Sequence, residues 1–373
     1  MIYLDYSATT KPSEEVLSSF YKASNMYFAN PNSLHKLGTE ASRLIDASTK
    51  QIAEILNIKP SEIIYTSGSS ESNNTAIKGI AYKYQNRGKH IITTKFEHSS
   101  IYGPLEFLKK YEDFQIDYVE TNQFGMVKLD SLKKMIRDDT ILVSICSVNS
   151  EIGLRQPIEE IGLLLKKYPK CFFHVDMTQS IGKEDISLDN IDLVSFSAHK
   201  IYGIKGIGCL IKKENIELEP LINGGKSTSP FRSGTPQLPL IVSLAKTIRL
   251  SLVNINEKKE KVLELKNYLV DKLSKYEKVV INSNDYCIPH ILNISVLGIK
   301  PETLQHALEE YDIYVSTQTA CSKENDKSEA VYNLTKKEDV SKSSIRISLS
   351  YITTITEINT FLHYFDLIYK KYE

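Results

Sequence analysis

The sequence predicts an α/β fold in which helices alternate with the strands of a largely parallel sheet. Between about residues 39 and 245, segments with apolar residues at helical spacing alternate with short β-rich runs. The length of 373 residues is enough for two domains. We expect a large domain at residues 13–250 and a smaller α+β domain built from residues 1–12 and 251–373.

The elements of the large domain follow in chain order. Apolar residues at helical spacing predict helices through residues 44–56 and 76–84. Short apolar runs predict strands at residues 63–66, 90–93, 141–148, 171–175, 193–197 and 208–211. The leucine-spaced stretch 238–275 is predicted as one helix that leaves this domain. Strands at 291–296 and 344–349 and helices at 302–310 and 355–372 complete the smaller domain.

The charge balance excludes several classes of partner. The chain carries 46 Lys and Arg against 46 Asp and Glu, so it has no net field that gathers nucleic acid or an anionic membrane. Its apolar runs are far shorter than the roughly 20 residues that cross a bilayer. Neither a basic leader nor a long apolar core precedes the first predicted helix. We therefore expect a cytoplasmic protein.

The cysteines and histidines predict neither a disulfide framework nor a metal site. The five cysteines are scattered without a CxxC pair, and the eight histidines show no HExxH spacing. Cys146, Cys171 and Cys209 lie in or beside apolar strand-like runs, where a free cysteine is usually a small buried hydrophobe. Cys321 differs, because the polar stretch that follows it predicts a surface loop.

A candidate phosphate site follows the first buried strand of the large domain. The strand at 63–66 runs into Ser67-Gly68-Ser69-Ser70-Glu71 and then into a helix. Free backbone N–H groups, hydroxyls and the positive end of the helix dipole converge at such a turn, which suits it to phosphate. By itself a Ser- and Gly-rich turn of this kind is more often purely structural.

Two ionisable residues follow predicted strands at the edge where α/β sheets bind ligands. Asp176 follows Phe172-Phe173-His174-Val175, and Lys200 closes Ser197-Ala198-His199-Lys200. A lysine at a strand end is often only a solvated side chain. Partial desolvation there favours the neutral, nucleophilic amine. Together with a phosphate cradle, the acid and the amine are what pyridoxal phosphate (PLP) requires.

Two glycine-containing segments resemble nucleotide-binding motifs without meeting their requirements. Gly225-Lys226-Ser227 has Pro220 where a P-loop needs its first glycine, and no strand-to-helix context frames it. The glycines of residues 203–208 are in the wrong order for a dinucleotide fingerprint and lead into a strand. ATP and NAD are therefore not expected as ligands.

The ordered motifs resemble the class V aminotransferase superfamily, and most closely its cysteine desulfurases of the NifS/IscS type. The resemblance extends from Tyr3-Leu4-Asp5-Tyr6-Ser7-Ala8-Thr9-Thr10 to Ser344-Ile345-Arg346-Ile347-Ser348-Leu349, which is nearly the whole chain. Matches between these ends include Asn30-Pro31-Asn32-Ser33, Glu97-His98, Val175-Asp176-Met177-Thr178-Gln179 and Arg232-Ser233-Gly234-Thr235. The resemblance implies a fold type I PLP-dependent homodimer with a mixed, mostly parallel seven-stranded sheet.

The resemblance also implies a role for each matching site residue. Lys200 would bind PLP covalently, Asp176 would pair with its pyridine nitrogen and His98 would stack on its ring. Gln179 would bind the phenolic oxygen. The other implied cofactor contacts are Asn149, Ser150, the phosphate ligands Ser69, Ser70, Ser197 and His199, and Thr235 from the second subunit. Arg346 would hold the substrate carboxylate, and Asn32 would also contact the substrate.

Cys321 stands at the position of the sulfur-accepting cysteine in desulfurases of this type. The resemblance implies that it takes sulfur from L-cysteine as a persulfide, which leaves L-alanine. An exposed thiol on a polar loop suits that chemistry, although an incidental loop thiol is the alternative. The sulfur would pass to an acceptor or scaffold protein for iron–sulfur assembly or tRNA thiolation.

Four positions depart from the family pattern, and these departures keep other functions open. Ser150 replaces an asparagine, Lys226 a glycine, Gln318 a small residue and Ser350 a glycine. A selenocysteine or cysteine-sulfinate lyase, or an aminotransferase, would keep the cofactor and change the substrate. A non-catalytic scaffold is the third reading, against which the intact Lys200 speaks.

Overall fold

The computed structural model describes residues 1–185, 187–225, 227–317 and 327–372. The strands are β1 (Ile2–Tyr3), β2 (Ile63–Thr66), β3 (His90–Thr93), β4 (Gln115–Tyr118), β5 (Thr140–Cys146), β6 (Phe172–Asp176), β7 (Leu193–Ser197), β8 (Gly208–Lys212), β9 (Val279–Ile281), β10 (Ile291–Val296), β11 (Ile313–Tyr314) and β12 (Ser344–Ser348). The helices are α1 (Glu14–Met26), α2 (Lys36–Leu56), α3 (Ser69–Tyr84), α4 (Ser99–Tyr111), α5 (Leu129–Met135), α6 (Ile158–Leu165), α7 (Leu238–Leu252), α8 (Ile255–Leu273), α9 (Pro301–Glu309), α10 (Glu329–Thr335), α11 (Glu338–Lys342) and α12 (Ile355–Tyr372). Short 3-10 turns occupy Pro60–Glu62 and Ala198–Lys200.

The large sheet has seven strands in the order β2-β8-β7-β6-β5-β3-β4. Strand β8 runs antiparallel to both of its neighbours, and the remaining pairs are parallel. The predicted α/β class and the mixed, mostly parallel seven-stranded sheet are therefore confirmed. Because helices cover both faces of a parallel sheet, its central strands are continuous apolar runs rather than alternating ones.

Each face of the large sheet has its own apolar core. On one face, Ala76, Ile77 and Ile80 of α3 and Ile101 and Leu105 of α4 are fully buried against the strands. The other face is covered by α2, α5, α6 and α7, whose apolar side chains join one cluster with those of the strands. These two layers hold the carboxyl ends of the parallel strands at a common edge, where ligands bind in sheets of this kind.

A second core surrounds the smaller sheets. Strands β12, β10 and β9 form an antiparallel sheet, and β1 pairs in parallel with β11. Leu4 is buried in this cluster with residues of α8, α9 and α12, such as Leu269, Leu304 and Phe361. The N-terminal strand therefore packs with the C-terminal part of the chain. The boundaries at residues 12 and 250 stay a prediction.

The prediction of a single helix over residues 238–275 is wrong. The structure has two helices there, α7 and α8, whose axes differ by 66°. Val253 is extended, and Asn254 adopts the left-handed conformation with φ 53° and ψ 39°. Asparagine enters that region more readily than most residues, so the chain turns at this point. Among the described residues, none of the individual helices has both the length and the apolar character of a membrane span; α7 and α8 together do, with this bend between them.

Substitution of Gly208, at the start of β8, is expected to destabilise the fold. A Cβ atom at this position would lie 2.6 Å from Gly68 Cα and 2.8 Å from the Phe196 carbonyl oxygen, and neither is a flexible side chain. Overpacking of this kind typically costs about 1–3 kcal/mol. We expect Gly208→Ala to lower the free energy of unfolding by that amount, measured by chemical denaturation followed by circular dichroism.

The matched control is Gly225→Ala. Gly225 is exposed and a Cβ atom there would meet open space, so alanine is expected to change the free energy of unfolding by less than about 0.5 kcal/mol. A Gly208→Ala variant as stable as the wild type would contradict the close approach of β8 to the turn before α3.

Candidate active site

A cavity of about 330 Å³ lies where β5, β6 and β7 end. It brings together residues from the N-terminal segment, the large sheet and β12. The residues singled out from the sequence that line it are Ser69, Ser70, His98, Ser150, Asp176, Gln179, His199, Lys200 and Arg346. Asp5, Ser7, Ala8, Phe96, Cys146 and Ser316 lie among the other lining residues. Residues far apart in the chain therefore share one site.

Four sequence-predicted site residues lie away from this lining. Asn32 is exposed, and its backbone N–H donates to the side chain of Asn30. Asn149 is buried, donates its amide to the Phe96 carbonyl oxygen at 2.8 Å and accepts the N–H of Ile152. Ser197 is buried at the end of β7. These three roles stay predictions.

Thr235 lies on a different, smaller cavity. It is exposed there with Thr66, Ser67 and Arg232 around it. Arg232 Nε donates to Glu71 Oε1 at 2.9 Å, which ties this region to the first turn of α3. Thr235 therefore does not reach the main cavity of its own chain.

Lys200 is held against the N-terminal segment. It closes the 3-10 turn after β7, and its half-buried Nζ donates to the carbonyl oxygens of Ser7 at 2.7 Å and Ala8 at 2.8 Å. Its neighbour His199 contacts the hydroxyl of Thr9 through Nδ1 at 3.1 Å. Burial, and next the charge of Lys200, lower the pKa of His199 to about 4. The imidazole of His199 is therefore neutral near pH 7.

Asp176 places a hydrogen-bonded carboxylate at the end of β6. It is 6% exposed, and its Oδ1 accepts the backbone N–H of Thr178 at 2.9 Å. Its Oδ2 accepts a hydrogen bond from Asn73 Nδ2 at 2.8 Å. Both oxygens of this buried carboxyl group therefore accept a hydrogen bond from the protein.

His98 begins helix α4 as its N-cap residue. Its Nδ1 accepts the backbone N–H of Ser100 at 3.2 Å and lies 2.9 Å from the Ser100 hydroxyl. Burial lowers the pKa of His98, and the nearby Asp176 opposes this effect. The preceding residue, Glu97, is buried and accepts the backbone N–H of Cys146 at 2.9 Å, which anchors this turn to the end of β5. Burial raises the pKa of Glu97 to about 8.

The buried arginine of β12 provides a site for an anion. Arg346 is 3% exposed, donates from Nη1 to the Ser150 carbonyl oxygen at 2.9 Å and pairs through Nη2 with Asp5 at 2.8 Å. Its Nε is buried and has no hydrogen-bond partner among the described residues. A buried guanidinium with an open N–H is suited to bind a carboxylate.

The described cysteines are buried and unreactive. Cys146, Cys171, Cys209 and Cys287 are free and buried, which confirms the expectation for the first three. Burial raises the pKa of both Cys171 and Cys209 to about 12, so their thiolates are not accessible near pH 7. Cys321 lies outside the described residues. In the described part of the chain, no group of three or more His, Cys, Asp or Glu side chains is placed to hold a metal ion.

Known proteins resemble this chain over nearly its whole length. The family model described as aminotransferase class-V matches residues 2–361. The chain belongs to the class V aminotransferase family. A NifS/IcsS protein homolog of Lactobacillus delbrueckii subsp. bulgaricus is 40% identical over 100% of this chain and 98% of its own length. Cysteine desulfurase IscS of Vibrio vulnificus is 40% identical over 96% of this chain and 90% of its own length.

Solved structures place this class V chain among NifS-like proteins. A NifS-like protein has a TM-score of 0.94 at 33% identity and covers 99% of both chains. SspA in complex with cysteine has a TM-score of 0.83 at 31% identity and covers 95% of this chain and 100% of its own. The fold type I architecture expected from the sequence is therefore confirmed.

The cavity of this class V enzyme fits PLP, the cofactor of its family. Its volume of about 330 Å³ lies within the roughly 300–1,000 Å³ typical of ligand pockets. The amine of Lys200, the carboxylate of Asp176 and the amino end of α3 open onto the same space. The unpartnered Nε of Arg346 is a further sign that an anion belongs there. The sequence expectation of a PLP enzyme is thus confirmed at the level of the family.

One of the family departures has a physical account in the structure. Ser150 lines the cavity, but its contact with Arg346 uses the backbone carbonyl oxygen, which any residue provides, so nothing in the structure explains serine there. Ser350 is buried, where its hydroxyl meets the hydroxyl of Tyr202 and accepts the N–H of Ile352 at 3.1 Å. Lys226 and Gln318 lie outside the described residues.

Sequence reasoning missed three polar residues that hold the site in place. Asp5 pairs with Arg346, Asn73 holds Asp176, and Lys183 Nζ donates to Gln179 Oε1 at 2.7 Å. A signal exists for Asn73, because it shares a helix face with the predicted apolar positions 76, 77 and 80. A polar residue on such a face needs a buried partner. The sequence holds no comparable signal for Asp5 or Lys183. The partner of Asp5 is far away along the chain, and the partner of Lys183 lies in a turn.

The buried ammonium of Lys183 makes stability depend on pH. Burial, and next the charge of Lys200, lower the pKa of Lys183 to about 7. The unfolded chain, with the ordinary value of 10.5, binds more protons at this site between about pH 7 and 10.5, so stability rises with pH there. We expect Tm of the cofactor-free wild type, minus Tm of Lys183→Met, to increase between pH 7 and 9.5.

The control for this pH dependence is Lys170→Met, which removes an exposed lysine. Its Tm difference from the wild type is expected to stay constant over the same pH range. A constant difference for Lys183→Met as well would show that Lys183 is not desolvated in the folded protein.

Proposed function

We propose that this chain is a PLP-dependent cysteine desulfurase that converts L-cysteine to L-alanine and leaves the sulfur as a persulfide on Cys321. The observation that carries the proposal is one cavity lined by Lys200, Asp176 and the buried Arg346, whose Nε has no hydrogen-bond partner among the described residues. Relatives named cysteine desulfurase IscS cover 96–99% of the chain at 36–40% identity. SspA, a structural neighbour, is described in complex with cysteine.

Arg346 binds the carboxylate of the substrate. Its Nη1 and Nη2 are fixed by Ser150 and Asp5, so the guanidinium is oriented before substrate enters. The free Nε–H supplies a charge-assisted hydrogen bond, and a low local dielectric strengthens it. Lysine lacks this planar set of donors and is a poor replacement.

The residues that would hold the cofactor come from separate elements of the large domain. They are Lys200 for covalent attachment, Asp176 at the pyridine nitrogen, Gln179 at the phenolic oxygen, His98 on the ring face, and Ser69, Ser70, Ser197 and His199 at the phosphate. When bound, PLP supplies an electron sink for the electron pair left on the substrate Cα. An ionised Asp176 keeps the pyridine nitrogen protonated, which that role requires.

Lys200 also serves as the base of the reaction. The neutral amine removes the proton from the Cα atom of the substrate, and the carbonyl oxygens of Ser7 and Ala8 orient its Nζ. General base catalysis of this kind contributes about 10²–10⁴ in rate. The same side chain therefore both binds the cofactor and removes the Cα proton of the substrate.

Cys321 accepts the sulfur. Its thiolate attacks the substrate sulfur, an S–S bond forms, and the C–S bond breaks with its electron pair going to carbon, which is then protonated. The products are L-alanine and the persulfide of Cys321, so no external oxidant is needed. Cys321 lies outside the described residues, and Ser316, five positions earlier in the chain, lines the cavity.

The active enzyme is a homodimer in the cytoplasm. Thr235 is exposed on a separate cavity of its own chain, where a second subunit has access to it. A reducing compartment keeps a sulfur-accepting thiol free of disulfides. The persulfide then passes to an acceptor or scaffold protein for iron–sulfur assembly or tRNA thiolation.

Two substitutions distinguish cofactor binding from sulfur transfer. Lys200→Ala is expected to lose the visible absorption of the bound cofactor and to lower turnover more than a hundredfold. Cys321→Ser is expected to keep that absorption and to lose sulfide release from L-cysteine under reducing conditions. Ser322→Ala, a neighbouring control, should keep both. Undiminished sulfide release by Cys321→Ser would falsify the assigned role of this cysteine.

Mixed dimers test whether Thr235 acts across the subunit interface. Thr235→Val alone is expected to weaken PLP binding at both sites. When it is paired with Lys200→Ala in a mixed dimer, one of the two sites regains both Lys200 and Thr235, so half of the sites should bind PLP as tightly as the wild type. If Thr235 acts within its own chain, no site of the mixed dimer is intact and tight binding stays absent.

A further inference from the structure

A chain of side-chain hydrogen bonds connects the acid of β6 to the histidine of α4. Asp176 Oδ2 accepts from Asn73 Nδ2 at 2.8 Å, and the same Nδ2 donates to Ser100 Oγ at 2.8 Å. Ser100 Oγ lies 2.9 Å from His98 Nδ1. Three separate elements, β6, α3 and α4, therefore contribute to one polar network beside the cavity.

The direction of the first two hydrogen bonds follows from Asp176. An ionised carboxylate only accepts, so Asn73 must present its amide nitrogen to it. The two N–H groups of that nitrogen are then used by Asp176 and by Ser100 Oγ. Asn73 Oδ1 is buried and has no partner among the described residues. The side-chain amide of Asn73 thus donates two hydrogen bonds, while its oxygen accepts none from the described residues.

The direction of the third hydrogen bond follows from the backbone. The N–H of Ser100 donates to His98 Nδ1 at 3.2 Å, so Nδ1 carries a lone pair and no proton. Ser100 Oγ, which can still donate while it accepts from Asn73, therefore contacts Nδ1 as a second donor. A neutral imidazole in this position must carry its proton on Nε2.

We propose that Asn73 and Ser100 are positioning residues that hold His98 as the Nε2–H tautomer, so that its other ring nitrogen is a hydrogen-bond donor toward the cavity. The proposal rests on the proposed function for the use of that donor. His98 lines the cavity, and Nε2 forms no hydrogen bond with any described residue. His98 then presents an N–H, rather than a lone pair, to the bound molecules.

The charges around His98 are compatible with a neutral ring. Asp176 favours the imidazolium, whereas Lys200 and Arg346 oppose it, and burial lowers the pKa of His98 overall. Protonation would also require a proton on Nδ1, where two donors already point. The network and the surrounding charges therefore favour the same neutral form.

A simpler role for Ser100 predicts a different result. As the second residue of α4, Ser100 contributes a backbone N–H to the N-cap, and alanine would contribute the same group. Under that role the hydroxyl of Ser100 is dispensable to His98. Under the proposed role it is one of two groups that exclude a proton from Nδ1.

The test is NMR spectroscopy of the PLP-loaded enzyme with isotopically labelled histidine. The ¹⁵N and ¹³Cδ2 shifts of the ring separate the two neutral tautomers, and His98→Gln identifies the signal. The wild type is expected to show the Nε2–H form. Ser100→Ala is expected to raise the titration midpoint of His98 by about half to one pH unit, the effect of one hydrogen bond, and to populate the Nδ1–H form.

Ser99→Ala is the matched control, because it makes the same chemical change at the adjacent exposed position. It should leave the His98 signal unchanged. Asn73→Leu keeps the Ser100 hydroxyl but removes the amide group that donates to it. This variant should also populate the Nδ1–H form of His98.

Two results would overturn the proposal: a wild type in the Nδ1–H form, or a His98 signal that is identical in Ser100→Ala and the wild type. The wild-type spectrum is decisive even where a variant fails to fold. A wild type without desulfurase activity but with the Nε2–H form would refute the proposed function and leave the role of Asn73 and Ser100 intact.

Discussion

The site depends on the contact between the N-terminal segment and the carboxyl edge of the large sheet. Ser7 and Ala8 accept hydrogen bonds from Lys200, and the backbone N–H of Thr10 donates to the His199 carbonyl oxygen at 2.8 Å. A few residues earlier, Asp5 pairs with Arg346. One short segment therefore fixes both Lys200, which we propose binds the cofactor, and Arg346, which we propose binds the substrate, although these lie in different parts of the fold.

Burial of charged and polar groups around the cavity is compensated by fixed hydrogen bonds. A buried ion without partners costs several kcal/mol, so each charge needs a defined donor or acceptor. Arg346 has Asp5, Asp176 has Asn73, and Lys183 has Gln179. Such groups cannot reorganise freely, and this preorganisation is what stabilises developing charge during a reaction.

The sequence predicted the buried strands of the large sheet and helices α2, α3 and α12, but not helices α1, α4, α5 and α6. Buried parallel strands are readable as apolar runs, and the helix predicted at residues 355–372 has the bounds of α12. Strand β4 was missed because Ile116 is its only buried side chain and its neighbours Gln115 and Asp117 are exposed. The break before α8 depends on the backbone conformation of Asn254, which leucine spacing does not encode. For the site, the strand ends indicated Asp176 and Lys200. A partner such as Asn73 can be identified only from the structure, where α3 packs beside β6.

The central claim is that Lys200 forms the covalent bond to PLP. Borohydride reduction of the holoenzyme, followed by proteolysis and peptide mass mapping, tests it most directly. The account predicts that the cofactor mass is found on the peptide that contains Lys200 and not on Lys183, a buried lysine that donates to Gln179. A cofactor adduct on Lys183, or no adduct on any peptide of the holoenzyme, would contradict it.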